Sequence, residues 1–280
     1  MIPSESFPIA ITKMSGAGND FIVIDHRSRF IPELYQPQFA QLVCRRRFSA
    51  GADGLILIEE SDAEDFSWRF YNRDGSMAEM CGNGARCAAR FAWRHQIAGR
   101  TMTFSTLAGT IRAELIGEQE HVRIGMTELT EYRDSILIDV DGTQRELVFI
   151  NTGVPHAVLF VDSDQAPIEQ WGRLIRYHEE FEPAGTNVNF VKILDDNELL
   201  VRTYERGVEA ETMACGTGVV ASAVVAARQG LCESPVEVTT TGGEQLTVQF
   251  TLAGDAVAEM SLQGPARIIY EGRLSAEALL

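Results

Sequence analysis

The chain carries one ordered set of landmarks twice. Gly51-Ala-Asp-Gly-Leu-Ile-Leu-Ile-Glu-Glu, Phe70-Tyr-Asn-Arg-Asp-Gly75 and Met80-Cys-Gly-Asn-Gly84 have counterparts further along. These are Gly185-Thr-Asn-Val-Asn-Phe-Val-Lys-Ile, Thr203-Tyr-Glu-Arg-Gly207 and Ala214-Cys-Gly-Thr-Gly218. Tyr204 follows Tyr71 by 133 positions, and Cys215 follows Cys81 by 134. Asn19-Asp-Phe-Ile-Val-Ile-Asp25 resembles Pro155-His-Ala-Val-Leu-Phe-Val161, and residues 104–110 resemble 238–243, at similar offsets. Two copies of so long a period do not make a solenoid, which needs three or more units. The 280 residues therefore divide into two similar domains, facing each other across a pseudo-twofold axis.

Each half has the same grammar. Short β-branched or aromatic runs (Phe21–Ile24, Leu55–Ile58, Trp68–Tyr71, Met102–Ser105, Thr110–Leu115) alternate with Gly, Asn and Asp turn signals. One helix interrupts them just after each Cys-Gly-x-Gly tetrad: Ala85 to about Gln96, and Val219 to about Gln229, closed by Gly230. The second helix is apolar or small on every side, which marks it as buried. Many strands around one buried helix predict α/β (α+β) domains, each a barrel-like sheet wrapped around a central helix.

Composition narrows the function. A 45% hydrophobic content excludes disorder. No apolar run approaches the roughly 20 residues of a membrane span, and no charged segment followed by an apolar one opens the chain; a cytoplasmic location is expected. A net charge of −16 argues against nucleic-acid or anionic-membrane partners but allows a small zwitterion in a local basic pocket. Of the 24 basic residues only Lys13 and Lys192 are lysines, which leaves little room for Schiff-base chemistry such as pyridoxal phosphate attachment. Five cysteines in a cytosolic-looking chain read as thiols.

Two of them are singled out by the repeat. Cys81 and Cys215 each precede Gly-x-Gly at the start of the central helix, where unpartnered amides and the helix dipole favour an anion. A thiol there is reactive, and the turn's amides can cradle a carboxylate. Cys44, Cys87 and Cys232 have no counterparts and read as packing residues, and Cys81-x5-Cys87 is not a zinc spacing. Two opposed acid/base groups suit inversion of a stereocentre. One thiolate removes a proton from one face while the opposite thiol delivers a proton to the other, and donors aimed at the carboxylate stabilise the carbanion.

Seven stretches together resemble the diaminopimelate epimerase family. They are Lys13-Met-Ser-Gly-Ala-Gly-Asn-Asp-Phe21, Phe70-Tyr-Asn-Arg-Asp-Gly-Ser76, Cys81-Gly-Asn-Gly-Ala-Arg-Cys87, Gly153-Val-Pro-His156, Tyr204-Glu-Arg-Gly207, Ala214-Cys-Gly-Thr-Gly218 and Gly264-Pro-Ala-Arg-Ile-Ile-Tyr-Glu-Gly272. The resemblance implies interconversion of LL- and meso-2,6-diaminopimelate for lysine and peptidoglycan precursors, without pyridoxal phosphate or metal. It implies an N-terminal domain of residues 1–126, to which 266–280 return, a C-terminal domain of 127–265, and a site in the cleft between them. Cys81 and Cys215 carry over as the acid/base pair, either of which can be the resting thiolate. Gly82, Asn83, Gly216 and Thr217 carry over as donors to the reacting carboxylate. Asn19, Asn72, Asn187, Glu205 and Arg206 match substrate-binding positions, with Arg206 suited to a carboxylate and Glu205 to an ammonium. His156 and Glu205 match groups that adjust the thiols, and Tyr270 matches a position at a homodimer interface.

Two departures bear on substrate recognition. Val154 stands where many members have Asn, and Gly54 where many have Gln; the Glu205-to-Cys215 segment is also one residue longer than in some members. They leave open a cofactor-independent racemase of another amino acid, such as histidine or proline. A non-catalytic amino-acid-binding protein is a third reading, against which the retention of both thiols argues.

Overall fold

The computed structural model describes residues 6–117, 121–163, 165–254 and 256–280. It divides into two units, Met1–Ile124 with Gly264–Leu280, and Gly125–Gln263. The first contains β1 (Ile9–Gly16), β2 (Asn19–Asp25), α1 (Gln36–Val43), β3 (Gly54–Glu59), β4 (Phe66–Asn72), α2 (Gly82–Arg94), β5 (Thr101–Thr106), β6 (Gly109–Ile116) and β7 (His121–Gly125). The second contains β8 (Glu131–Val140), β9 (Thr143–Asn151), β10 (Pro155–Phe160), α3 (Ile168–Arg176), β11 (Asn187–Asp195), β12 (Glu198–Glu205), β13 (Ala210–Thr212), α4 (Gly216–Arg228), β14 (Val236–Thr240), β15 (Gln245–Ala253) and β16 (Ala256–Pro265). The last strand, β17 (Arg267–Leu274), pairs antiparallel with β1.

The repeat extends to hydrogen-bonded order. In the first unit neighbouring strands run β17-β1-β2-β3-β4-β5-β6-β7. In the second they run β8-β9-β10-β11-β12-β14-β15-β16. The parallel pairs fall at the same steps: β2–β3 and β4–β5 in one unit, β10–β11 and β12–β14 in the other. Strand β17 thus holds the place beside β1 that β8 holds beside β9.

Each sheet is covered on both faces, so its central strands are buried throughout instead of alternating. Every residue of β3 is buried. Leu55 and Leu57 face α1, in a cluster with Ile22, Ile24, Phe39 and Val43, while Ile56 approaches Gly84 of α2. In the second unit Val188 and Phe190 pack with Ile168 and Ile175 of α3, and Asn189, between them in sequence, reaches Gly218 of α4. The central helix α4 is buried from Gly218 through Ala227. Its four valines alone each contribute about 1.5–3 kcal/mol of burial.

Two expectations are corrected. Each half has two helices, because α1 and α3 lie on the outer faces of the sheets. Each central helix also begins three residues earlier than expected, at Gly82 and Gly216, so that the glycines form its first turn. The low helix propensity of glycine makes the tetrad read as a turn; packing explains the helix. A Cβ on Gly218 would lie 2.3 Å from Asn189 Oδ1, so only glycine lets α4 approach β11 this closely. Among the described residues, no helix is long and apolar enough to cross a membrane.

Candidate active site

Cys81 is the N-cap of α2, in extended conformation at φ −148° and ψ 116°. The first bond of the helix runs from the Ala85 amide to the Cys81 carbonyl at 2.8 Å, so the amides of residues 82–84 head the helix. The half-buried thiol donates to Asn19 Oδ1, with Sγ at 3.7 Å. Asn19 in turn donates from Nδ2 to Asp53 Oδ2 at 2.9 Å. Asp53 and Asp20 brace the starts of parallel strands β2 and β3. The Asp53 amide bonds Asp20 Oδ1 at 3.0 Å, and the Asp20 amide bonds Asp53 Oδ2 at 3.2 Å. Lys13 at 2.7 Å and Arg46 at 2.6 Å balance Asp20. Burial would raise the Asp20 carboxyl, but its bonds to Lys13, Arg46 and Asp53 outweigh that and hold it down at about 2.

Cys215 caps α4 in the same way, at φ −113° and ψ 107°, with the Val219 amide on its carbonyl at 2.9 Å. Its Sγ lies 3.5 Å from Thr217 Oγ1. The Thr217 carbonyl accepts from the Thr152 hydroxyl at 3.2 Å, which ties the first turn of α4 to the loop before β10. The other three cysteines differ in kind. Burial pushes Cys44 and Cys87 up to about 12 and Cys232 up to about 11, which keeps them as inert thiols at neutral pH.

His156 and Asn187 stand opposite each other in the parallel β10–β11 register. Both polar atoms of the Asn187 amide engage the backbone: Nδ2 donates to the Pro155 carbonyl at 3.0 Å, and Oδ1 accepts the Arg206 amide at 2.9 Å. Asn187 therefore holds the end of β12, where Glu205 and Arg206 sit, against the start of β10. Burial raises the Glu205 carboxyl above the usual range, an effect opposed by the neighbouring Thr212 side chain. Arg206 donates from Nη1 to the Ala184 carbonyl at 3.2 Å.

Asn72 opens a turn, accepting the Gly75 amide at 2.9 Å and donating to Ser76 Oγ at 3.0 Å. The Asn83 side chain is buried and accepts Arg86 Nη2 at 2.7 Å. Tyr270 lies exposed on β17, opposite Lys13. Gly54 has no room for a side chain, since its Cβ would meet Phe70 Cε2 at 2.5 Å and the Tyr71 carbonyl at 2.9 Å. The structure adds Asp53, Asn189 and Thr152, to which the sequence alone assigns no role. Asp53 stands in the repeated Gly-Ala-Asp-Gly and Asn189 in its counterpart Gly-Thr-Asn-Val-Asn, which are the available signals; no local pattern marks Thr152.

In architecture the chain is similar to solved proteins of the PhzF and proline racemase type. These include a Bacillus anthracis phenazine biosynthesis protein of the PhzF family, with a TM-score of 0.71, 14% identity, and coverage of 95% of this chain and 98% of that one. A probable proline racemase from Agrobacterium radiobacter gives 0.69 at 15% identity, covering 96% and 93%. At this identity the likeness concerns the fold alone. Sequence similarity goes further. The family model described as diaminopimelate epimerase matches residues 11–131 and 148–269. Among curated proteins named diaminopimelate epimerase, that of Aquifex aeolicus is 47% identical over 277 residues, covering 95% of this chain and 98% of the relative. That of Archaeoglobus fulgidus is 44% identical over 246 residues, covering 84% and 87%. The chain belongs to the diaminopimelate epimerase family.

Proposed function

We propose that the chain interconverts LL- and meso-2,6-diaminopimelate by two-base proton transfer between Cys81, Cys215 and the α-carbon. The observation that carries this reading is the pair of half-buried or buried cysteines capping α2 and α4 at equivalent positions of the repeat, in a chain of this family. The thiolate takes the α-proton from one face, and the other thiol gives its proton to the opposite face, so one cycle exchanges the roles of the two sulfurs. The first-turn amides at Gly82, Asn83, Gly216 and Thr217 receive the reacting carboxylate, where the helix dipoles offset the charge of the carbanion.

Arg206 binds a carboxylate and Glu205 an ammonium of the substrate, with Asn19, Asn72 and Asn187 completing the polar lining. His156 acts as a neutral imidazole, since its burial disfavours the cation. No step requires a cofactor. Residues 1–126 with 266–280, and 127–265, form the two domains of the working enzyme, a cytoplasmic homodimer with Tyr270 at its interface. Val154 favours keeping a second reading in the test, a racemase of another amino acid, because its side chain offers no amide to a substrate. Incubation with LL-diaminopimelate, chromatographic separation of the isomers, and parallel incubations with L-proline and L-histidine decide between them. Formation of meso-diaminopimelate alone supports the first reading; racemisation of only another amino acid overturns it.

A further inference from the structure

Three polar side chains stand side by side beneath the first turn of α4. Ala157, Val188, Phe190 and Tyr204 pack toward α3, so alternation along the strands turns His156, Asn189 and Thr203 to the opposite face. There a Cβ on Gly218 would lie 2.3 Å from Asn189 Oδ1 and 3.2 Å from Thr203 Oγ1. The neighbours fix the Asn189 amide. The Ala157 carbonyl only accepts, so the amide end 3.4 Å from it is the nitrogen, and the Thr203 hydroxyl donates to the oxygen at 2.9 Å. That nitrogen is also the atom 3.0 Å from His156 Nδ1. Nδ1 therefore accepts, and the neutral ring carries its proton on Nε2.

His156 is wholly buried, and among the described residues no group accepts from Nε2. A buried donor without an acceptor is destabilising, yet three neighbouring groups cooperate to keep this one a donor. The strand register shows where it faces. His156 stands opposite Asn187 at the sheet edge, where Asn187 Oδ1 holds the Arg206 amide, whereas Asn189 and its partner Thr203 lie two residues further in. With Nδ1 turned inward to Asn189, Nε2 on the other side of the ring turns outward, toward the edge that carries Glu205 and Arg206. Burial and the charge of Arg206 together disfavour the imidazolium. A neutral donor in a field made positive by Arg206 and by the head of α4 suits an anionic acceptor. Every amino-acid substrate brings one, its carboxylate.

We propose that Asn189 is a positioning residue which, backed by Thr203 and the Ala157 carbonyl, holds His156 in its Nε2–H form so that the imidazole donates a hydrogen bond to a carboxylate of the substrate. This deepens the proposed function and rests on its reading of an amino-acid site at this edge of the sheet.

The test has two parts, both on the full chain. Nitrogen-15 NMR of histidine-labelled protein, with the His156 signals assigned by their loss in His156→Gln, reads the ring without substrate. At neutral pH the proton should sit on Nε2 and not on Nδ1; a protonated Nδ1 overturns the proposal. Saturating diaminopimelate should move the Nε2 proton downfield, and a resonance that stays in place overturns the donor role. The second part is kinetic. Glutamine at position 156 carries an amide nitrogen near the place of Nε2 and has no tautomer to set. Asn189→Ala should therefore lower kcat/KM about tenfold in the unsubstituted protein and by no more than about twofold in the His156→Gln background. Equal losses in the two backgrounds would make Asn189 merely structural and overturn the proposal. Should Asn189→Ala fail to fold, Thr203→Val takes its place with the same expected pattern, and Thr203→Ser should keep the original kcat/KM. If the chain turns over L-proline or L-histidine instead, that amino acid replaces diaminopimelate in both parts, and the proposal stands or falls on its own result. A chain that binds none of the three refutes both readings, and an active diaminopimelate epimerase with Nδ1 protonated refutes this one alone.

Discussion

The side-chain nitrogen of Asn189 lies 3.0 Å from Nδ1 of His156 and 3.4 Å from the Ala157 carbonyl, while its oxygen accepts the Thr203 hydroxyl at 2.9 Å. Because Asn189 donates to Nδ1, the neutral imidazole carries its proton on Nε2. His156 is fully buried, and burial together with the charge of Arg206 pushes it down to about 3, against the opposing bond from Asn189.

Stability should therefore fall with acid in a defined window. The unfolded chain protonates this histidine near pH 6.5 and the folded chain does not, so the contribution is complete above 6.5 and is lost progressively as pH falls toward 3. Between pH 6.5 and 5 the loss is about 2 kcal/mol. His156→Gln, neutral throughout, should flatten that part of the profile by the same amount. Identical urea-unfolding profiles for the two proteins between pH 7 and 5 would refute the assignment.

Glycines at equivalent places in the two central helices should respond differently to alanine. A Cβ on Gly84 meets Ile56 and Trp68 at an ordinary 3.4 Å, whereas one on Gly218 meets Asn189 Oδ1 at 2.3 Å. Gly84→Ala is expected to be neutral or to stabilise by up to about 1 kcal/mol. Gly218→Ala should destabilise by about 1–3 kcal/mol and disturb the His156 contact. Equal urea midpoints for the two variants would show that the close approach of α4 to β11 is not what the structure describes.

Replacement of either capping cysteine should separate chemistry from folding. Neither side chain makes a capping bond to its helix, so Cys81→Ala and Cys215→Ala should retain the circular dichroism spectrum. Each should lower epimerisation by a factor of about 100 to 10,000 or more. Turnover near the original level in either variant would exclude a two-base mechanism.

The sequence makes legible whatever is repeated or locally periodic. The two capping cysteines, the buried α4 and the strand runs around it stand out because offsets near 133 and continuous apolarity are visible without coordinates. The outer helices are not legible in the sequence. In α3, Ile168, Trp171 and Ile175 have helical spacing, but no side-chain cap marks its start at Pro167, and α1 is only eight residues long with Pro at its N-terminus. The use of side-chain amides was equally hidden. Asn187 reads as a ligand residue in sequence, and only the structure shows that its amide also joins Pro155 to Arg206. Asn83 is committed to Arg86. The link from Asp53 to Asn19 joins residues 34 positions apart, and only the parallel pairing of β2 and β3 brings them together.

The most direct test of two-sided proton transfer is the position of deuterium after brief reaction of LL-diaminopimelate in D₂O. At low conversion, meso product should carry one solvent deuteron at the inverted α-carbon, while recovered LL substrate stays unlabelled, because one sulfur removes the proton and the other delivers its own. Meso product that retains the original α-hydrogen would contradict the account.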